Sequence, residues 1–448
     1  MHRTLAACLT TTALVGAGLV TAASAPGVAA QPRQAAEPAP RAAPLLTGFE
    51  KRDGASWTTE PEESRYLRAL DAASDRVEVS TIGRTAQDRP LRLVAVGDPA
   101  PGTAAQVRAG SSVLFICSQH GDEPSGREAC LQLARDLAND DSASTTRFLQ
   151  RTTVLFVPTA NPDGRAADTR ENSNDFDVNR DHLVLETEEG RAMAEVIRDY
   201  APDLVHDLHE FGEDPGVYDR QLIHLWPRNR NVDEAAHDLS VDLNEDYVDP
   251  QVQDAGYTTG IYGIWTDEDG APIAQVAGDG DERILRNLAG LRNSLGILVE
   301  ANQDPTTPEE ETDEPAKNLR RVDSQLVSAH ASLDFLRENR AEVAEQTAAA
   351  AERMTETGSS GDWVLSFAGG DNQLPDSDEI DTTPPCGYRL TAAQYGEVRR
   401  TLQLQGITST PDGADRLVSL GQPARSVIPL LLDDRATYHL VEGTPVDC

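Results

Sequence analysis

The stretch SSVLFICSQHGDEPSGREACLQLARDLA, residues 111–138, decides the fold. SSVLFIC (111–117) is a continuous apolar run, the pattern of a strand covered on both faces. SQHGDEP (118–124) is a polar junction, and residues 124–138 read as a helix with Pro124 near its start. The same alternation recurs. TTVLFVP (152–158) is a second buried strand, and ETEEGRAMAEVIRDY (186–200) is a helix with acidic residues in its first turn, where the helix dipole favours them. DLVHDL (203–208) and LGILVE (295–300) are a third and a fourth strand. This βαβ rhythm predicts an α/β fold with a mixed, mostly parallel central sheet and helices on both faces.

Upstream, residues 60–75 carry Tyr66, Leu67 and Leu70 at helical spacing, and VEVSTIG and LRLVAVG are extended segments joined by a turn. Downstream, a Pro/Glu/Asp-rich loop (303–316) leads into 317–354, one long helix or two short ones. After TGSSGD (357–362) the pattern changes to short strands, a helix around 391–404 and the apolar run VIPLLLD (427–433). This is a small C-terminal α+β extension or accessory region.

The beginning of the chain reads as an export signal over residues 1–30. Arg3 precedes an apolar stretch through Leu19 and Val20, and small residues offer cleavage after Ala25 or Ala30. The Ala/Pro/Gln/Arg-rich residues 31–45 read as a disordered linker. The expected division is then a main domain over 46–356 and an accessory region over 357–448. No later stretch approaches transmembrane length. A secreted protein with no membrane contact after processing is expected. The formal net charge of −36 argues against nucleic acid, whose phosphates would be repelled. Cys8 lies in the signal, which leaves Cys117, Cys130, Cys386 and Cys448. An oxidising compartment permits disulfides among them. A bridge from Cys386 to the terminal Cys448 would hold the chain end, whereas Cys117 and Cys130 either pair or serve as buried apolar fillers.

Chemistry collects where strands end. In an open α/β sheet, ligands bind beyond the carboxyl ends of the strands. His120 and Glu123 stand three apart at such an end, and His209 of DLHE (207–210) stands at another. Two histidines and one carboxylate, with a position left for water, form a hydrolytic zinc site. His206 competes with His209, but the period of two places it on the opposite strand face. Glu300 ends a wholly apolar strand at the same edge and is the candidate general base. Between the ligands lies a polar loop, 157–182, with NPDG (161–164) as a tight turn. Arg170 and Arg180 in this loop suit a substrate carboxylate and a developing oxyanion, if they are not spent on Glu171, Asp175 or Asp181.

The order HGDE, NPDG, TREN, DVNRD, DLHE and a buried-strand Glu resembles the zinc carboxypeptidases of the carboxypeptidase A and B type, over about residues 50–350. IGRTAQDRPLRLVAVG (82–97) is similar to that family's lead-in hairpin. The resemblance implies one zinc ion per chain on His120, Glu123 and His209, with Glu300 activating the water and passing its proton to the leaving amine. It implies that Arg170 polarises the scissile carbonyl, that Asn179 and Arg180 grip the terminal carboxylate, and that Asp177 orients His120. A mobile tyrosine is expected over the substrate, with Tyr257 and Tyr262 as candidates. Glu210 departs from the family's small hydroxylated residue and is expected to alter the pocket beside the metal. The residue that sets side-chain specificity falls within 265–290.

A secreted, monomeric zinc metallocarboxypeptidase acting on peptides with a free C-terminal carboxylate is therefore the expected function. The alternatives are a zinc peptidase or amidase acting on cell-wall stem peptides or N-acyl amino acids, and an inactive binding protein on the same scaffold.

Overall fold

Val113, Phe115, Val154, Phe156 and Leu204 lie in one buried apolar cluster, and Leu114, Ile116, Leu155, Val157 and Val205 in another. Sequence neighbours fall on opposite sides, as the alternation of a pleated strand demands, and both sides are apolar because both are covered. The computed structural model describes residues 45–212, 218–266, 272–275, 278–371 and 373–448. The expected signal (1–30) and all of the expected linker except Leu45 lie outside the described residues. Leu45–Cys448 forms one compact unit.

The strands are β1 (Val77–Arg84), β2 (Pro90–Val96), β3 (Ser111–Cys117), β4 (Thr152–Val157), β5 (Leu204–Phe211), β6 (Leu222–Leu225), β7 (Thr259–Ile261), the hairpin β8 (Ile264–Thr266) and β9 (Pro272–Gln275), and β10 (Leu295–Asn302). Eight of them form one sheet in the order β1-β2-β4-β3-β5-β10-β6-β7. Its centre, β4-β3-β5-β10, is parallel, with antiparallel pairings at β1-β2, β2-β4 and β10-β6. The mixed, mostly parallel sheet expected from the sequence is present. The short strands β6 and β7 carry too few residues to show a period, and the sequence pattern did not reveal them.

Helix α1 (Glu60–Ala73) begins with a capping box in which Thr59 N donates to Glu62 Oε2 at 2.9 Å. With α2 (Ser125–Asn139) it covers the Phe115 face, and Tyr66 Oη donates to Leu131 O at 2.9 Å to join them. The opposite face is covered by α3 (Glu188–Tyr200) through Met193, Val196 and Ile197, and by α4 (Leu285–Leu291) through Leu285 and Ala289. The segment expected as one helix or two is a single 47-residue helix, α5 (Glu314–Ser360). Pro315 sits in its first turn and Asp313 caps Ala316 N at 3.1 Å, so its start is fixed by local chemistry. Val322, Ala329, Leu333 and Leu336 tie it to the Phe115 face.

The C-terminal part is a four-stranded antiparallel sheet over 387–390, 410–412, 415–419 and 444–446, with α6 (Ala392–Leu404) beside it. The run VIPLLLD folds as the short helix Ile428–Leu432. Its core includes Leu183, Leu288 and Leu291 from the main sheet's loops and α4. Gln405 Nε2 also donates to His182 O and Leu183 O at 2.7 and 2.9 Å. The extension therefore backs the loop and helix that line the site below.

Both cysteine pairs are bridged, Cys117 to Cys130 and Cys386 to Cys448. The second closes a separation of 62 residues, a loop length for which chain entropy gives about 4 kcal/mol. Replacing Cys386 and Cys448 by Ser should lower urea stability by up to about that amount. Native-state hydrogen exchange should then accelerate selectively in 387–446. Unchanged protection there would sink the prediction.

Candidate metal centre

The parallel register builds the site. Glu300 on β10 is the Cα partner of His209 on β5, so both occupy adjacent positions near the carboxyl edge. Leu298 and Glu300 lie on the same face by the period of two, and both line one cavity of about 280 Å³. His120 and Glu123 come from the junction after β3, the strand on the other side of β5. That junction is held in place by a backbone-to-backbone approach. A Cβ on Gly121 would lie 2.0 Å from Gly164 C, so only glycine lets the HGDE and NPDG segments meet. NPDG is not the expected tight turn. It opens the short helix Pro162–Ala167, with Asn161 Oδ1 accepting from Gly164 N at 2.8 Å.

His120, Glu123 and His209 are buried, and one donor atom from each lies within 4.8 Å of the others. Glu123 Oε1 is 2.7 Å from His120 Nδ1, and its Oε2 is 2.9 Å from His209 Nδ1. The two Nδ1 atoms are 3.1 Å apart. On the outer edges, His120 Nε2 lies 3.1 Å from Asp177 Oδ1 and His209 Nε2 lies 2.9 Å from Asp207 Oδ2. Ionised carboxylates only accept, so the ring hydrogens belong on Nε2 and the Nδ1 lone pairs point inward. With neutral rings, two inward lone pairs and a carboxylate repel one another; protons on the rings or a metal cation relieve that repulsion. This donor set of two imidazoles and one carboxylate suits zinc. Burial pushes both imidazoles down, but Glu123 and the outer carboxylates outweigh it and the net direction is up. Burial alone would raise Glu123; the two imidazoles bring it down to about 2.

Glu300 lies beside this group, 8 % exposed. Burial is the main force on it, opposed by His209 and reinforced by Glu123, and its pKa is pushed up to about 7. Arg170 stands half-exposed at the mouth. Its Nη2 donates to Asp177 Oδ2 at 2.8 Å, and its Nη1 lies 3.1 Å from His120 Nδ1. Of the acids weighed from the sequence as partners for Arg170, none takes it; Asp177 does. Arg180 lines the cavity with its Nε 4.0 Å from Asp281 Oδ2. The Asn179 amide is engaged inside the protein. Its Nδ2 is 3.2 Å from Asp207 Oδ2 and 2.9 Å from His209 Nε2, and its Oδ1 accepts Leu285 N at 2.9 Å. His206 points to the other face, where its Nδ1 is 2.9 Å from Ser332 Oγ of α5. Of the two tyrosines, Tyr262 lines the cavity, whereas Tyr257 donates to Asp323 Oδ2 at 2.6 Å. The nearby charge of Glu300, with burial, raises the Tyr262 hydroxyl pKa.

Glu210 borders the cavity, but its carboxylate is turned into the fold. Oε2 accepts Ser125 N at 2.9 Å, at the start of α2, and Oε1 accepts Arg321 Nε of α5 at 2.7 Å. No local pattern signals this partner, which is 111 residues away. Nor did it single out Gln119, whose Nε2 donates to Asp207 at 2.7 Å and whose Oε1 meets His182 Nε2 at 2.6 Å. Both Asp207 and Gln119 stand inside the quoted motifs, which was the available signal. Arg286 also lines the cavity and was missed.

Residues 64–204 match the sequence profile described as zinc carboxypeptidase. A probable carboxypeptidase 2 of Trichophyton verrucosum is 28% identical over 188 residues, covering 40% of this chain and 36% of that protein. Carboxypeptidase E of Caenorhabditis elegans is 28% identical over 160 residues, covering 32% of this chain and 33% of that protein. The chain thus spans about a third of the length of these relatives. A metallo-carboxypeptidase structure from Burkholderia cenocepacia is 19% identical, covering 62% of this chain and 69% of that one, with a TM-score of 0.48. His209 and Glu300 lie beyond the profile match, and the sheet brings them to the residues within it.

Two outcomes follow for this site. Replacing His209 by Ala should abolish stoichiometric zinc in elemental analysis, and Asp177→Asn should weaken zinc affinity by about 10- to 100-fold. Full zinc occupancy with unchanged affinity in both would exclude this metal centre. Separately, Arg321→Ala leaves the buried Glu210 charge unpaired and should cost about 3–5 kcal/mol in denaturant unfolding. A loss within error of zero would show that Glu210 has another counter-charge.

Proposed function

We propose that this chain, which belongs to the zinc carboxypeptidase family through residues 64–204, is an extracellular metallocarboxypeptidase that hydrolyses the last peptide bond of peptides with a free C-terminal carboxylate. One observation carries the reading. A buried carboxylate, Glu300, shares a cavity with, but stands outside, a cradle of two imidazoles and a carboxylate, and burial raises its pKa. A general base is most effective with a pKa near the working pH, and the cradle leaves Glu300 free for that task.

A zinc ion on His120, Glu123 and His209 supplies Lewis acidity towards water and the scissile carbonyl. In this reading Glu300 removes a proton from the attacking water and later delivers it to the departing amine. Arg170, steadied by Asp177 at the mouth, offers its guanidinium to the oxyanion. Arg180 takes the terminal carboxylate, for which its planar fork is suited. Asn179 supports it through its backbone carbonyl, which accepts Arg180 Nη1 at 2.9 Å. Tyr262 closes one wall. The two disulfides support an oxidising, extracellular setting. Among the described residues, no helix is long and apolar enough to cross a membrane. We assign the catalytic part to residues 46–356.

Zinc-loaded protein is expected to release single residues from peptide C-termini, and amidation of the terminus to stop it. Glu300→Gln should lower the rate by about 10²- to 10⁴-fold while zinc stays bound. Undiminished activity of Glu300→Gln, or equal cleavage of amidated peptides, would overturn the proposal.

A further inference from the structure

One buried cation in the cavity forms no ion pair among the described residues. Arg286, in the first turn of α4, is 1% exposed and lines the cavity that holds Glu300 and Arg180. Its Nη2 donates to the backbone carbonyl of Asp279 at 3.1 Å, and its Nε has no partner. Arg228, Arg320 and Arg321 are buried but paired, with Asp371, Glu310 and Glu210. Arg127 and Arg425 are buried and form no ion pair among the described residues, but they do not line this cavity. Among the described residues no ion pair forms at Arg286; burial, Arg228 and Arg180 disfavour its charge, and Tyr262 and Asp207 favour it. An arginine keeps its charge even when buried, so this one is an anion acceptor held ready.

Arg286 forms part of the cavity wall, next to Gly278. Gly278 lines the same space, with φ +62°, and a Cβ there would come within 3.6 and 3.7 Å of the two Nη atoms. The remaining wall includes the apolar Ile284 and Leu298. A buried guanidinium with apolar side chains beside it in a largely polar cavity suits a short side chain ending in a carboxylate. Arg180 is a second, separate cation, assigned above to the terminal carboxylate. With Arg170 assigned above to the oxyanion, the two remaining cations of the cavity suit a residue with two carboxylates.

We propose that Arg286 is a specificity-determining residue that selects peptides ending in glutamate or aspartate. The inference rests on the carboxypeptidase reading above. A carboxylate side chain would satisfy the guanidinium fork. The neutral isostere glutamine would leave a buried charge uncompensated, which is the condition under which a site discriminates strongly.

The test compares kcat/KM for N-blocked peptides that differ only in the last residue: Glu, Asp, Gln, Leu and Arg. The expected result is a Glu-over-Gln ratio of about 10 or more, falling to near one in Arg286→Gln. Arg286→Lys, which keeps the charge but not the fork, should retain part of the ratio. Equal turnover of all five peptides would overturn the acidic preference and leave the carboxypeptidase reading standing. Release from none of them would remove that reading instead. In that event the subsite is decided by calorimetry on the zinc-loaded protein with N-acetyl-glutamate and N-acetyl-glutamine. Tighter binding of the first, lost in Arg286→Gln, supports the subsite, and equal affinity refutes it.

Discussion

Two imidazole nitrogens facing each other at 3.1 Å, with a carboxylate reaching both, form an arrangement that a protein would not bury for stability. Each outer nitrogen is committed to a carboxylate, so the inner lone pairs cannot be relieved by a change of tautomer without losing those bonds. A cation relieves them. Much of the surrounding structure serves to hold this arrangement. Gln325 of α5 anchors the His209 carbonyl at 2.6 Å, and Asn179 bridges Asp207 to the start of α4. The carboxylate of Glu210 is drawn into the opposite layer by Arg321, which keeps a third acid away from the metal ligands.

The sheet makes such convergence possible at low conformational cost. Four parallel strands end at one edge, and each end supplies or supports a functional group on rigid backbone. Because β5 and β10 are in register at His209 and Glu300, the distance between ligand and base is fixed by strand pairing and not by a loop. The loop-borne groups differ. Arg170 is attached through Asp177, and Arg180 through the Asn179 carbonyl and a long contact to Asp281. The metal edge is thus held by strand pairing, whereas the arginines that face it are held by loops.

What the sequence disclosed follows the range of the interactions. Strands buried on both faces are continuous apolar runs, so β3, β4, β5 and β10 were visible, with their ends shifted by at most a few residues. The ligands were visible because they sit at strand ends with short spacing or a distinctive dipeptide. Helix α5 left one helix or two open because its apolar positions do not by themselves exclude a break; the packing of its whole length decides. Contacts between distant segments were hidden. Glu210 meets Arg321 across 111 residues, and nothing near DLHE announces it. Arg286 looked like an ordinary helix residue in a Leu-rich stretch. Its meaning depends on a cavity and on the lack of an ion pair among the described residues, and neither is a local property of sequence.

The charge distribution sets an apparent conflict for an acidic substrate. The chain carries a formal charge of −36, yet Arg170, Arg180 and Arg286 gather at one cavity. Charges on the exterior act through water and salt and fade over about 8 Å at physiological ionic strength. The buried guanidinium acts through a medium where the same charge counts for several times more. On the proposed reading, the exterior would slow the approach of an anionic peptide, while the cavity would decide whether it stays. Specificity in this arrangement belongs to the last few ångströms of binding. Those few ångströms are governed by a cation whose desolvation was met when the chain folded, so the substrate carboxylate meets a site already organised for it.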